Sequence, residues 1–177
     1  MEVVRKPAVI YDFKKQLEYS EKASDERFWG EIYHKAFPNM VNCMLGSADS
    51  ESQRMGIDRI ILLANGAVLK IDEKKRDAVY NDILLEYVSV DTTKAPGWME
   101  KDLSIDYLAY AFMPTKTVYL FSWPVLRRAW LHYRKKWIVN FRRVEALNNG
   151  YKTISVAVPI NVLQQSIIIA SVIKLNA

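Results

Sequence analysis

The chain has 177 residues, half of them hydrophobic and 12% aromatic. That length suits a single domain, and the apolar content supplies a sizeable core and excludes a disordered chain. The formal net charge is +5, and the lone cysteine, Cys43, excludes an intramolecular disulfide and points to a reducing compartment.

Residues 1–22 are mixed in charge and weakly periodic, and read as a peripheral N-terminal arm on one domain that spans 1–177. Met1–Lys6 is not followed by a signal-peptide apolar region, so the chain reads as cytoplasmic. Ser24 suits an N-cap, with Asp25 and Glu26 in the first turn of a helix to Ala36 that Pro38-Asn39 ends. Gly46 to Gln53 reads as a polar loop. From Ile57 to Lys74, Asn65-Gly66 stands between two apolar runs, the strongest short-range hairpin signal. Asp82–Val90 reads as a third, largely buried strand. Ala95-Pro96-Gly97-Trp98 is a turn, and 102–111 suits strand or helix equally. Thr117–Trp123 is a strand, and Pro124 opens a helix over Val125–Val139. After Asn148-Asn149-Gly150, Tyr151–Val158 is a strand and a last helix starts near Val162. The apolar stretch Ser166–Leu175 is too short for a membrane span of about 20 residues. This order predicts an α/β domain with a central mixed sheet flanked by helices.

The hairpin carries the chemistry. It brings Asp58, near the start of its first strand, close to Asp72, near the end of its second. Lys74 shares a face with Asp72 because strand side chains alternate. Two carboxylates and an ammonium suit a hard-metal site for phosphodiester hydrolysis, in which Mg²⁺ (or Mn²⁺) activates water and neutralises charge on phosphorus. Asp58 and Asp72 are the expected metal ligands, the Glu73 carbonyl can complete the pocket, and Lys74 orients the water or offsets transition-state charge. The register is open between Asp72/Lys74 and Glu73/Lys75, and a one-residue slip exchanges the faces. Asp72/Lys74 is favoured because Leu69 and Ile71 then face the core and Glu73 emerges at the strand end. The competing interpretation is a solvated hairpin end with surface ion pairs.

Glu86 stands inside an apolar run, where a carboxylate is costly unless paired. It either joins the site or pairs with Lys74 or Arg59. Glu26 and Glu31 are further ligand candidates, against the alternative that each is simply solvated on the helix surface. Seven of the 25 Lys and Arg lie between Arg127 and Arg143 with no acidic residue among them: Arg127, Arg128, Arg134, Lys135, Lys136, Arg142 and Arg143. The rest of the chain holds 18 basic and 20 acidic residues, so the basic character belongs to this segment and predicts contact with a polyanion. The stripe Leu126, Trp130, Tyr133, Trp137 reads as core. His34 and His132 form no zinc signature, Cys43 has no nearby histidine to activate it, and six dispersed glycines make no phosphate-binding loop.

Gly56-Ile57-Asp58, Ile71-Asp72-Glu73-Lys74, the preceding Gln53, the strand Ile83–Glu86 and the strand–helix–strand from Trp123 to Pro159 together resemble the PD-(D/E)XK nuclease superfamily, the restriction-endonuclease-like fold. The resemblance spans roughly 24–175, with the diagnostic residues between 53 and 86. It implies a core of helix, three strands, helix and strand. It also implies a Mg²⁺-dependent endodeoxyribonuclease in which Asp58 and Asp72 bind the metal and Lys74 is catalytic. Glu86 has no fixed family role, and the first-helix glutamate of some members corresponds to Glu31 or Glu26. Ile57 stands where the family name has proline. DNA is the implied partner, with no membrane; such folds often dimerise to cut both strands, and the residues themselves fix no oligomeric state. The rival expectation is a non-catalytic nucleic-acid-binding or assembly protein that keeps the fold without the chemistry.

Overall fold

Two sheets, rather than one central sheet, organise the chain. The computed structural model describes residues 9–12, 26–46, 55–167 and 170–174. In chain order the elements are β1 (Val9–Asp12), α1 (Glu26–Ala36), β2 (Met40–Leu45), β3 (Arg59–Leu63), β4 (Val68–Arg76), β5 (Asp82–Val90), β6 (Ala95–Pro96), β7 (Tyr107–Phe112), β8 (Thr117–Ser122), α2 (Trp123–Asn140), β9 (Arg142–Leu147), β10 (Lys152–Pro159), α3 (Ile160–Ser166) and β11 (Ala170–Lys174). Ser24, Asp25, Gln53 and most of the 46–53 loop lie outside the described residues. Of the expected N-terminal arm, Val9–Asp12 forms β1, parallel to β9.

The six-stranded sheet has the order β11-β8-β7-β4-β3-β2, and the five-stranded sheet β1-β9-β10-β5-β6. Both are mixed: β4 and β7 run parallel, as do β1 and β9, and the other pairs are antiparallel. The expected third strand forms as β5, but it leaves the hairpin's sheet and pairs with β10. The antiparallel meander of three strands is instead β2-β3-β4, completed by Met40–Leu45 on the far side of β3. The chain passes through β5 and β6 before returning as β7 beside β4, and the long helix follows β8 instead of separating β4 from β7. Residues 102–111, open between strand and helix, supply β7. Its Leu108, Tyr110 and Phe112 pack in one core and Ala109 and Ala111 in another, the alternation of a strand buried on both faces.

Asn65-Gly66 makes the predicted turn. Gly66 takes a positive φ of 82°, open to glycine at little steric cost, and the Ala67 N–H donates to Asn65 Oδ1 at 3.0 Å. The turn sets Arg59 opposite Ile71 and Leu62 opposite Val68.

Helix α1 buries Phe28, Trp29, Ile32 and Tyr33, one stripe at helical spacing, against Ile61, Ile71, Ala109, Ala111, Val118 and Leu120 on one face of the six-stranded sheet. The larger core joins the other face (Leu108, Tyr110, Phe121) to Ile83 and Leu85 of β5, Val156 and Val158 of β10, Leu126, Trp130 and Trp137 of α2, and Leu163 of α3. The stripe expected on α2 is therefore core, with half-buried Tyr133 stacked on Trp137 at 5.5 Å between ring centroids.

Candidate active site

The turn register places Asp58 one residue before β3, where its N–H donates to the Ile71 carbonyl at 2.9 Å. Its carboxylate points across the hairpin, and Asp58 Oδ2 accepts from the Glu73 N–H at 2.7 Å. Asp58 is exposed; Asp72, fully enclosed beside it, is 2% exposed. Lys74 Nζ donates to Asp72 Oδ1. Asp72 Oδ2 is buried and receives no protein donor. In the lateral register Asp72 is level with Leu108 and Lys74 with Tyr110, both in the larger core, so the pair belongs to the sheet face away from α1.

The electrostatics follow from that burial. Desolvation pushes the Asp72 carboxyl up to about 7, with Lys74 pulling it down and Asp58 pushing it further up. Burial works against the Lys74 ammonium, yet Asp72, Asp58 and Glu86 together hold it above the usual lysine range. Burial likewise raises Glu86, against Lys74, the Trp98 backbone N–H, Lys101 and the Ser89 hydroxyl, all of which favour its carboxylate. Glu86 is thus within electrostatic reach of Lys74 but forms no ion pair with it, and Arg59, its other expected partner, is engaged by Glu73.

Glu73 corrects an expectation. It does not emerge at a strand end: its carboxylate lies on the α1 face, where Arg59 Nε donates to Oε1 at 3.0 Å, Arg59 Nη2 to Oε2 at 3.5 Å, and the Tyr33 hydroxyl to Oε1 at 2.8 Å. Burial raises Glu73, and Arg59 and Tyr33 hold it down against that push. The carboxylate is spoken for, so any ligand role for Glu73 is confined to its backbone carbonyl. The other candidate pair lies on that same α1 face, with Lys75 Nζ over the Trp29 ring at 5.8 Å. Glu26 and Glu31 sit on exposed positions of α1, which covers the Glu73 face, and Glu31 pairs with Arg27 at 3.1 Å. Neither is brought to Asp58 and Asp72.

The basic segment divides. Arg134 pairs with Glu100 at 2.8 Å, Arg142 with Asp82 at 3.1 Å and Arg143 with Glu145 at 2.7 Å, while Arg127 donates to the Glu100 carbonyl at 3.4 Å. Arg128, Lys135 and Lys136 are exposed on α2 and form no ion pair among the described residues. The segment also does not stay helical: Arg142 and Arg143 open β9.

Sequence reasoning missed Lys101 and the Trp98 N–H beside Glu86. The signal available was Pro96-Gly97 shortly after a strand. Gly97 lies flat on β5, where a Cβ would meet the Glu86 carbonyl oxygen at 2.5 Å. Among the described residues no group of three or more His, Cys, Asp and Glu is arranged to hold a metal ion. Among the described residues, no helix is long and apolar enough to cross a membrane. Comparison with protein-family models, with curated proteins and with solved structures finds no match.

Proposed function

We propose that the chain hydrolyses phosphodiester bonds in DNA with a divalent hard cation held between Asp58 and Asp72, in a restriction-endonuclease-like core formed by α1, the β2-β3-β4 meander and β7. One observation carries this reading: Asp72 Oδ2, a buried carboxylate oxygen without a donor, in a group that contains Asp58 and Lys74. A buried acceptor left unsatisfied is costly, and a bound cation removes that cost. The oxygen donors of Asp58 and Asp72, with the Glu73 carbonyl as a third, fit Mg²⁺ or Mn²⁺, ions that commonly keep water and substrate phosphate in their remaining positions. When bound, such an ion supplies an acidified water and polarises the phosphoryl oxygens.

The chain's own residues supply the rest. Lys74 is kept protonated by Asp72, Asp58 and Glu86, and its ammonium orients the attacking water or offsets negative charge developing on the phosphoryl group. Asp58, exposed beside enclosed Asp72, is the side from which a backbone phosphate enters. Arg128, Lys135 and Lys136 hold the nucleic-acid backbone through phosphate contacts.

The Lys74–Asp72 ion pair favours one second reading. It neutralises Asp72 without a metal, which is what a non-catalytic nucleic-acid-binding protein with this fold would need. A cleavage assay on labelled linear, nicked and branched DNAs, with Mg²⁺, Mn²⁺ or EDTA, separates the two. The nuclease cuts only with metal, and Lys74→Ala loses cutting while still folding and keeping its DNA affinity. Binding without cutting under every metal condition establishes the second reading instead.

A further inference from the structure

The turn after β6 is strapped down at both ends. On one side it lies on β5: Gly97 N–H donates to the Tyr87 carbonyl at 3.1 Å and Met99 N–H to the Glu86 carbonyl at 3.0 Å, and Met99 is fully buried. Gly97 leaves no room for a side chain against Glu86, so the contact is backbone on backbone. On the other side the strap is held by α2 through one residue. Trp130 Nε1 donates to Glu100 Oε1 at 3.0 Å, Arg134 Nη1 to Oε2 at 2.8 Å, and Arg127 Nη2 to the Glu100 carbonyl at 3.4 Å. Both oxygens of the Glu100 carboxylate are thereby used, one by a buried indole and one by a guanidinium.

This arrangement connects two parts of the molecule that are remote in sequence. Glu86 is the acidic group of β5 within electrostatic reach of Lys74, and the strap pins its backbone through the Met99 N–H at 3.0 Å, while the Trp98 N–H and Lys101 favour its carboxylate. Helix α2 carries the exposed cations Arg128, Lys135 and Lys136. We propose that Glu100 is a positioning residue for the Asp58–Asp72–Lys74 site, fixing the Gly97–Lys101 strap to α2 so that Glu86 is held beside Lys74. The inference rests on the nuclease reading and deepens it. Partners that orient a metal site's ligands typically cost about 10–100-fold in activity when lost, and Glu100, acting through the strap and Glu86, belongs at the low end of that range.

The test is a double-mutant cycle in DNA cleavage with Mg²⁺, using the wild type, Glu100→Gln, Glu86→Gln and the pair, with melting temperatures recorded for each. Glu100→Gln keeps the shape of the side chain and removes its charge. The expected result is a fall in kcat of about tenfold or more with KM for DNA changed less than about twofold. In the Glu86→Gln background the same substitution should then cost less than about twofold, because its route to Lys74 is already cut. Equal losses in both backgrounds, or an unchanged kcat, overturn the positioning role and leave the nuclease reading standing. Failure of the wild type to cleave overturns both. Should Glu100→Gln not fold, Arg134→Met removes half of the clamp from the exposed side of α2 and carries the same cycle.

Discussion

Asp72 is the residue on which the site turns, and its titration can be read from stability alone. An unfolded aspartate titrates near about 4, whereas burial lifts folded Asp72 to about 7. Between those values the folded state keeps a proton that the unfolded state has released. The stability associated with protonated Asp72 is therefore complete below about pH 4 and is lost as pH rises to about 7. Lys74, held above the usual lysine range, stays charged through this window and does not mask the effect. In EDTA, the melting temperature of the wild type should fall relative to Asp72→Asn as pH is raised from 4 to 7. Mg²⁺ should recover much of that loss by binding the ionised carboxylate. A difference between the two proteins that does not change with pH would mean that Asp72 titrates as an ordinary surface carboxyl.

At the scale of elements, the hairpin was readable because Asn-Gly between apolar runs has few other uses, and the turn delivered Asp58 beside Asp72 as its register requires. The choice between Asp72/Lys74 and Glu73/Lys75 was not settled by the tripeptide, since both fit it. The missing signal was cross-strand. With Asn65-Gly66 at the turn, Arg59 faces Ile71 and is diagonal to Glu73, a pair within reach of long side chains. That pair assigns Glu73 to the α1 face and leaves Asp72 and Lys74 on the other. Strands β2 and β9 were not anticipated: Met40–Leu45 lacks alternation and has mostly exposed residues, and Arg142–Leu147 follows a basic helix whose charge conceals the single buried Val144. The departure of β5 to a second sheet depends on its pairing with β10, some 70 residues on, which local pattern does not encode. Arg59 and Glu73 are 5% and 10% exposed at their side chains, so removing one partner strands a buried charge. Arg59→Met should accordingly cost about 3–5 kcal/mol in urea unfolding. A loss under about 1 kcal/mol would show that the pair behaves as a surface salt bridge and does not determine which way β4 faces.

At the scale of the whole molecule, the seven basic residues of 127–143 looked like one polyanion-binding face in sequence, and the fold sorts them by what each touches. Arg142 shares Asp82 with Arg76 of β4, 2.9 Å from Arg76 Nη1, so it contributes to a link between the two sheets. Arg134 and Arg127 hold the strap, and Arg143 is engaged by Glu145. Only Arg128, Lys135 and Lys136 combine exposure with the absence of a carboxylate partner among the described residues. Phosphate contacts release counterions, and each lost contact lowers the dependence of log affinity on log salt by about 0.9 for duplex DNA. Replacing the three together with alanine should reduce that slope by about 2–3 and weaken binding similarly across unrelated sequences, with melting temperature unchanged. Arg142→Ala should do the reverse, lowering the melting temperature through Asp82 while leaving the slope within about one of the wild type. If the triple variant keeps its slope and Arg142→Ala loses it, the nucleic acid lies along β9 and not along α2.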